Sequence, residues 1–504
     1  MEKRLIVAIA LSLLVLLTWS LLAPKPQLPA TKGVIAQPLA PVSVVPQEPP
    51  NIKLAQELPA ASLFQYQQDK FTVNFIEPQG AIQEIIFKTH QDYKFLLNSG
   101  FLLVDNTLSF KKESSSSGGV TFVHNDLNKK IKKQFIFSNS SYDIWLEIEV
   151  QNTSNQPLKV NFPLILGGLD FSSHNPQARY QDVTVVTKDK TLHLNARKTQ
   201  EFPGLKFLSL RDRYFCAIIE PAAENNTAFI NKVTPQLTEV GLTPAEQLLM
   251  PGHKIAQQFH IYLGPQELQT INKIKPEWSV IINYGTFDFI AQLILQLLGF
   301  VYSLVHSWGW AIVILSFLVY LLLYPLTLKQ MRSMKEMQLL QPHIEELRKL
   351  YKDNPQRLNK EIMQLYREHK VNPLGGCLPL ILQMPIFIAL WQALQRSVIL
   401  KGANFLWIKD LSEPDRLFTL GGSFPIKEIN ILPILTAILM FLQQKISTVA
   451  TSGASAEQQK IMVIMMPIIF GFAFYNMPSG WVLYFFVYSL LMLIYQFRIS
   501  RKNG

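Results

Sequence analysis

The sequence predicts a multi-domain membrane protein: an α-helical bundle of six transmembrane helices, five of which form a core, joined to an antiparallel β-sandwich. Hydrophobic residues make up 48% of the 504 residues and are gathered into runs long enough to cross a bilayer. Residues 61–285 instead alternate between apolar and polar side chains, which is the period of a half-buried strand. Lys and Arg (47) outnumber Asp and Glu (36) and lie beside the apolar runs, which favours membrane orientation over nucleic-acid binding.

The first element is an uncharged run, residues 5–22, that follows the two cations Lys3 and Arg4. At about 1.5 Å per residue this run nearly matches a hydrocarbon thickness of about 30 Å. A cleaved signal peptide is the alternative, but two leucines rather than small residues stand directly before Ala23. We expect residues 1–23 to form a signal-anchor transmembrane helix whose N-terminus is cytoplasmic.

Residues 24–60 contain nine prolines and are predicted to be a Pro-rich periplasmic linker. Residues 61–285 are predicted to be the β-sandwich, which follows a cytoplasmic N-terminus and one crossing and is therefore expected in the periplasm. The alternation is clearest in residues 143–150. The same period occurs in Phe71–Ile76, Ala81–Phe87, 120–124, 133–137, 158–162 and 257–263.

Residues 286–306 are apolar enough to span a membrane, but they carry a polar stripe at helical spacing, which includes Asp288, Gln292 and Gln296. If this helix lies flat, only one crossing separates the β-sandwich from residues 329–370, which hold ten Lys and Arg. That basic loop then faces the cytoplasm, as the positive-inside bias requires. We therefore expect residues 286–306 to form an interfacial amphipathic helix.

Residues 307–497 are predicted to form the five-helix core, followed by a basic cytoplasmic tail at 498–504. After a first crossing at about 310–328, four apolar segments follow: 374–395, 431–444, 461–475 and 480–497. No Asp or Glu lies in the middle of these segments, and no repeat is visible. Both observations disfavour an ion-coupled transporter or channel, which is the first alternative.

The basic loop, residues 329–372, is predicted to be a cytoplasmic helical hairpin. Asn354 and Pro355 suit the N-cap and first position of its second arm. Its methionines either fill the seam of the hairpin or offer an adaptable apolar contact surface, and the sequence leaves both possibilities open. The four are Met331, Met334, Met337 and Met363.

Neutral polar side chains are scattered through the core helices. Each alone is typical of an interhelical hydrogen bond, and together they could line a wet groove within the bilayer. The candidate groove residues are Ser316, Tyr320, Gln383, Tyr484 and Tyr488.

Several motifs of the core, in this order along the chain, resemble those of the YidC/Oxa/Alb family of membrane protein insertases. The most specific is residues 372–387, NPLGGCLPLILQMPIF; the others are YPLT at 324–327, FLWIKDL at 405–411, MP at 466–467 and PSGWVLY at 478–484. The resemblance covers about residues 285–497, and the anchor, linker and sandwich resemble the Gram-negative bacterial branch of the family.

The resemblance implies an insertase and chaperone with a hydrophilic intramembrane groove, which inserts and helps fold and assemble inner-membrane proteins, alone or with the Sec translocon. The implied partners are newly synthesised membrane proteins, SecYEG, SecDF, the ribosome and the lipid bilayer, with no nucleic acid recognised directly. The family carries an arginine where this chain has Tyr320, and a second family tyrosine is Phe485 here. The groove of this chain is therefore expected to lack a fixed positive charge.

Enzymatic chemistry is not expected, and neither a cofactor nor a metal is predicted. Only two cysteines, Cys216 and Cys377, are present, and neither a metal-ligand spacing nor a Gly-rich phosphate loop occurs. The remaining alternative is a carbohydrate enzyme, because the sandwich resembles mutarotase-like folds. That function would need convergent acid and base groups, and no spacing groups His174, His193 and His253. A docking or spacer role for the sandwich is the other interpretation.

Overall fold

The computed structural model describes residues 63–105, 107–116, 118–352, 354–369, 371, 378–419, 428–447 and 454–502. The predicted signal-anchor helix and Pro-rich linker lie outside these residues. The described chain begins with a β-rich part, continues through two short helical turns, and ends in a bundle of apolar helices.

The described part contains 21 strands. Two of them, β2 and β3, have the bounds that the alternation predicts, and the predicted run 143–150 lies within β9. The strands are β1 Leu63–Gln67, β2 Phe71–Ile76, β3 Ala81–Phe87, β4 Tyr93–Gly100, β5 Leu102–Leu103, β6 Lys111–Ser116, β7 Gly119–Asn125, β8 Lys129–Phe137, β9 Asp143–Asn152, β10 Leu158–Val160, β11 Leu164–Asp170, β12 Asp182–Thr187, β13 Thr191–Leu194, β14 Gln200–Arg211, β15 Phe215–Pro221, β16 Asn226–Lys232, β17 Leu237–Thr243, β18 Gln247–Leu249, β19 Lys254–Pro265, β20 Phe418–Thr419 and β21 Glu428–Ile429.

Two antiparallel sheets pack face to face to form a β-sandwich. Strands β1 to β4 make a four-stranded sheet, and the larger sheet has the path β5-β11-β17-β16-β14-β15-β19-β9-β8-β7-β6, with β12 and β13 attached beside β14. Aromatic rings fill the space between the sheets, since Phe75 of β2 lies 5.2 Å from the rings of both Phe122 and Phe135. Phe87 stacks on Phe215 at 3.9 Å. The predicted antiparallel β-sandwich is therefore present.

A lysine, Lys133 of β8, is fully buried within this aromatic core. Its Nζ donates to the backbone oxygen of Gly80 at 2.6 Å and to that of Phe101. The ammonium group also lies 5.3 Å from the centre of the Phe135 ring, within the range of a cation–π contact. Lys133 thus links β8 to the turn before β3 and to the turn after β4. Burial lowers the pKa of Lys133 to about 7.

The described residues contain nine α-helices. A turn of 3₁₀ helix, Pro276–Ile281, follows the first of them, and another, Val398–Leu400, follows the sixth. The helices are α1 Leu268–Ile274, α2 Asp288–Val305, α3 Trp308–Leu339, α4 Gln341–Leu350, α5 Pro355–Glu368, α6 Leu378–Arg396, α7 Ile431–Ser447, α8 Ala454–Phe474 and α9 Ser479–Lys502.

Three helices of the described chain are long and apolar enough to cross a membrane: Asp288–Val305, Trp308–Met337 and Ser479–Arg498. Two shorter apolar helices, Ile431–Ile446 and Val463–Phe474, accompany them. Several apolar helices therefore follow the sandwich, as predicted. Length and composition alone admit α2 as a span, so its flat orientation stays a prediction.

The hairpin begins without a break, because α3 continues from the apolar segment to Leu339. Arms α4 and α5 follow, and Asn354 caps α5 by accepting a hydrogen bond from the Arg357 backbone N–H at 3.1 Å. Leu340 and Ile344 are buried together with Val371 in a small core of their own. The predicted turn at Asn354 and Pro355 thus lies between the two arms.

Replacing Lys133 by Met should flatten the pH dependence of stability. The folded-state pKa of Lys133, about 7, lies below the value of about 10.4 that an unfolded lysine has. Between these values the unfolded chain binds more protons, so the free energy of unfolding rises with pH, by up to about 1.4 kcal/mol per pH unit. Urea unfolding of the full chain in detergent, followed by near-ultraviolet circular dichroism at several pH values, measures this slope. Lys130→Met, at an exposed position of the same strand, is the control, and an unchanged slope in Lys133→Met would contradict the assignment.

Candidate functional site

The predicted groove residues lie on three helices that contact one another. Ser316 and Tyr320 belong to α3, Gln383 to α6, and Tyr484 and Tyr488 to α9. Helix α9 packs against both α3 and α6. The three helices thus bring together residues that are distant in the sequence, the farthest pair being Ser316 and Tyr488, which are 172 positions apart.

Five tyrosines form a continuous chain of ring contacts, here called the tyrosine row: Tyr484, Tyr488, Tyr320, Tyr324 and Tyr495. In that order, successive ring centres are 6.2, 6.0, 6.1 and 5.5 Å apart. Tyr324 and Tyr495 are not among the groove residues that were predicted from the sequence. Their spacing was a usable signal, because Tyr324 is four residues after Tyr320 and Tyr495 is seven after Tyr488, so each pair shares a helix face.

The tyrosine row extends along the bundle rather than across it. At about 1.5 Å of rise per residue, Tyr484 and Tyr495 are about 16 Å apart along α9. That distance is about half of a hydrocarbon core of about 30 Å. Tyr484, Tyr488 and Tyr320 are 9% exposed or less, whereas Tyr324 and Tyr495 are partly exposed at the end next to the hairpin. The row therefore leads from the hairpin end of the bundle into its interior.

Hydrogen bonds distinguish the members of the site. The Tyr488 hydroxyl donates to Gln383 Oε1 at 2.8 Å and so links α9 to α6. Ser316 is fully buried and donates to the Ile312 carbonyl oxygen of its own helix at 2.7 Å. Within the described residues the buried Tyr484 hydroxyl has no partner, so it can serve as donor or acceptor for a polar group entering the row.

The helices around the row are free of charge over long stretches. Residues 308–328, 378–395, 431–444 and 479–497 contain no Asp, Glu, Lys or Arg. The site can therefore offer hydroxyl and amide hydrogen bonds and aromatic surface, but neither an ion pair nor an ionisable proton relay from these segments. That arrangement suits transient contact with polar groups rather than ion coupling.

The end of α6 is fixed to the β-sandwich by buried charges. Asp182 accepts from Arg211 Nη2 at 2.8 Å and from Arg396 Nη1 at 3.1 Å. Burial raises the pKa of Asp182, but the two guanidinium groups outweigh that effect and hold the pKa below its ordinary value. Beside this pair, Arg213 donates to the backbone oxygens of Gln395 and Ser412, each at 2.9 Å. No sequence pattern indicates this junction, because the sandwich residues and their partners at or after the end of α6 are about 200 residues apart in the chain.

The hairpin methionines do not share one environment. Met337 packs against the small core of the hairpin, as the seam interpretation predicts. Met363 is 47% exposed and Met331 is half-buried, which leaves them available for contacts outside the hairpin. The side chain of Met334 lies outside the described residues.

Two of the three histidines named from the sequence, His193 and His253, bond to neutral oxygen atoms. His193 is hydrogen-bonded to Thr184 Oγ1 at 3.0 Å, and His253 to the Pro251 carbonyl oxygen at 3.1 Å. Among the residues that the structure describes, no group of three or more His, Cys, Asp or Glu could hold a metal ion. In their hydrogen bonds, His193 and His253 meet a hydroxyl and a carbonyl oxygen rather than a carboxylate.

Two protein-family descriptions match the chain: "YidC periplasmic domain" over residues 61–297 and "60Kd inner membrane protein" over residues 300–504. A protein of Syntrophobacter fumaroxidans named membrane protein insertase YidC is 30% identical, over 99% of this chain and 100% of that protein. A protein of the same name from Wigglesworthia glossinidia brevipalpis is 32% identical, over 82% of this chain and 77% of its own length. A crystal structure described as an active YidC insertase is 20% identical over 87% of this chain and 93% of that chain, with a TM-score of 0.41.

An arginine should be tolerated in the tyrosine row but not two residues away. Tyr320 is 9% exposed and contacts two other tyrosines, whereas Leu322 is 72% exposed on the outer face of the same helix. Tyr320→Arg places a guanidinium among hydroxyls and ring faces, while Leu322→Arg exposes it to hydrocarbon at a cost of at least about 2.5–3.5 kcal/mol near the bilayer centre. We expect Tyr320→Arg to accumulate in membranes near the unmodified level and Leu322→Arg to be depleted several-fold, as quantitative immunoblotting measures. Equal depletion of both variants would show that Tyr320 does not border a polar cleft.

Proposed function

The chain belongs to the YidC family of membrane protein insertases, and from that premise we propose that it inserts inner-membrane proteins along the tyrosine row. The observation that carries the proposal is the row itself, a continuous line of phenol groups inside helices that are otherwise apolar. The family function is insertion rather than catalysis, so the protein is an insertase and not an enzyme.

The physical task of the row is to lower the cost of moving polar groups through hydrocarbon. A charged group at the bilayer centre costs at least about 2.5–3.5 kcal/mol on insertion scales. Hydroxyls that reach about half the depth of the bilayer replace part of the hydration that a polar loop loses. A client helix can meanwhile move sideways from the row into the lipid. Insertion then needs no energy source other than the free energy of burying the apolar residues of the client.

The proposed topology has six spans with both termini in the cytoplasm, the β-sandwich in the periplasm and α2 flat at the periplasmic face. Its support is the ten Lys and Arg in residues 329–370 and the match of residues 61–297 to a domain described as periplasmic. The polar stripe of α2 agrees with this placement, because Gln292 and Gln296 line a cavity under the sandwich while Phe289 and Phe300 are exposed.

We infer that the hairpin receives clients or the ribosome at the cytoplasmic mouth of the row. Its charge is positive, and its surface includes exposed apolar side chains at Leu339 (67%), Leu350 (71%) and Met363 (47%). Exposed apolar side chains, among them a flexible methionine, suit contact with varied apolar segments. Cooperation with the Sec translocon, including SecYEG and SecDF, belongs to the same proposal and rests on the family relationship.

A reconstituted insertion assay tests the function and the role of the hairpin together. The full chain is placed in liposomes, a single-span client with a short N-terminal tail is synthesised beside them, and protease protection of the tail is measured. We expect protection with the full chain and a loss of at least about tenfold when residues 341–369 are replaced by a Gly-Ser linker, because the exposed apolar and basic contacts are removed.

Leu127→Ala, at a side chain that is 93% exposed on the sandwich, is the matched control and should insert normally. Protection that does not depend on the protein would refute insertion of this client. Full activity of the linker variant would instead show that the hairpin is only a connector.

Cysteine labelling tests the topology. In a chain whose own two cysteines are replaced, Lys352→Cys should react with a membrane-impermeant maleimide only in inverted vesicles, because the positive-inside bias places the hairpin in the cytoplasm. Leu127→Cys should react only in spheroplasts. Labelling of residue 352 from outside would overturn the arrangement.

A further inference from the structure

A cavity of about 340 Å³ lies between the β-sandwich and the helix bundle, away from the tyrosine row. One wall is Gln266 to Gln269, at and before the start of α1, and a second wall is one face of α2. Ile282 and Tyr284 before α2, Trp308 at the start of α3 and residues 397–399 after α6 complete the lining. The cavity thus depends on five separate chain segments that only the folded protein brings together.

Part of the lining is apolar and lies beside a surface that suits lipid. Tyr302 stacks on Trp308 with ring centres 3.8 Å apart and planes within 8°, and Leu295 and Ile399 adjoin them. Tyrosine and tryptophan are the side chains that concentrate where a bilayer meets water. The opposite face of α2 exposes large apolar side chains: Phe289 (81%), Leu293 (56%), Phe300 (61%) and Leu304 (65%). With α2 in the membrane interface, only the thickness of this helix separates the cavity from the acyl chains of the surrounding lipid.

The rest of the lining carries one carboxylate and several amides. Glu267 accepts from Thr270 Oγ1 at 2.6 Å, and within the described residues it forms no salt bridge. His90 interacts with the charge of Glu267, but burial lowers the pKa of His90, so its imidazole is neutral at pH 7. Gln269 and Gln296 also line the cavity, as does Gln292, whose amide nitrogen donates to Asp288 Oδ2 at 2.8 Å. The lining thus combines one carboxylate, which lacks a salt bridge in the described part of the chain, with neutral amide groups.

We propose that this cavity binds one phospholipid whose headgroup carries an ammonium group, such as a phosphatidylethanolamine. The ammonium pairs with Glu267, the phosphodiester accepts hydrogen bonds from the glutamine amides, and an acyl chain lies along Leu295 and Trp308. A lipid fits better than a soluble ammonium compound because about half of the lining side chains are apolar or aromatic. The proposal rests on the interfacial placement of α2 given under the proposed function.

Gly299 offers a way to fill the cavity without disturbing the fold. It lines the cavity, and a Cβ added there would meet no atom within 4 Å. Gly299→Leu should therefore occupy lipid space while improving the helix propensity of α2. Ser303→Leu is the matched control, because it adds a leucine one turn later on α2, at an exposed position that does not line the cavity. Glu267→Gln removes the negative charge and keeps the shape.

Native mass spectrometry of the purified full chain counts the lipid that it retains from an equal mixture of phosphatidylethanolamine and phosphatidylglycerol. We expect the unmodified chain and Ser303→Leu to retain one phosphatidylethanolamine. Gly299→Leu should retain about tenfold less phosphatidylethanolamine, or even less than that. The leucine side chain takes the space of several methylene groups of the lipid. Glu267→Gln should still retain lipid. It should lose the preference of about tenfold for phosphatidylethanolamine over phosphatidylglycerol that we expect of the unmodified chain.

Retention by Gly299→Leu at the level of the unmodified chain would overturn the proposal, as would equal retention of the two lipids by the unmodified chain. Phosphoethanolamine, the soluble headgroup, should not displace the lipid; displacement at millimolar concentration would show a headgroup site and contradict the lipid assignment. A peptide retained in place of lipid would also contradict it. Lipid retention is measured without any client, so failure here and failure of the insertion assay are separate results.

Discussion

One buried carboxylate, that of Asp182, sets the position of the helix bundle relative to the β-sandwich. It is shared by Arg211 of the sandwich and Arg396 at the end of α6. A buried charge is tolerated only when its partners are held in place, and removing one partner of such a pair typically costs about 3–5 kcal/mol. Helix α6 carries Gln383, which binds Tyr488, and it leads into residues 397–399 of the interfacial cavity. Helix α6 therefore connects this ion pair to both sites.

Sequence patterns predicted the parts of the fold that depend on local physics. Strand β9 alternates because one face meets the apolar core and the other is more exposed, so its period is visible in the chain. Strand β2 carries the same period in its sequence, although Phe71–Phe75 are all buried. The hairpin turn was equally readable, since Asn354 and Pro355 are a capping pair whose chemistry is local. Strands such as β15, buried on both faces, were not identified, because they have no alternation to detect.

Features that join distant segments could not be predicted in the same way. The Asp182 junction unites residues from β12, β14 and the end of α6, and nothing in the neighbourhood of each residue indicates the others. The candidate groove was predicted in part: the helical spacing of Tyr484 and Tyr488 was visible, but its continuation to Tyr320 depends on how α9 packs on α3. Ser316 fits the same face by sequence, yet its hydroxyl is bonded to the helix backbone.

The neutrality of the tyrosine row has a physical consequence for the proposed insertion. A neutral hydrogen bond contributes about 0.5–1.5 kcal/mol, whereas a bond to a charged group contributes about 1.5–3 kcal/mol. A site that must release each client works best when its contacts are several and individually weak, as in any path that a polar group has to leave again. Five phenols, three on α9 and two on α3, spread over about 16 Å along the bundle and meet that condition, because a polar loop can exchange one hydroxyl for the next. Under the proposed function, the same weakness would make the row indifferent to the sign of a client's charge, and selection between clients would fall to the basic hairpin.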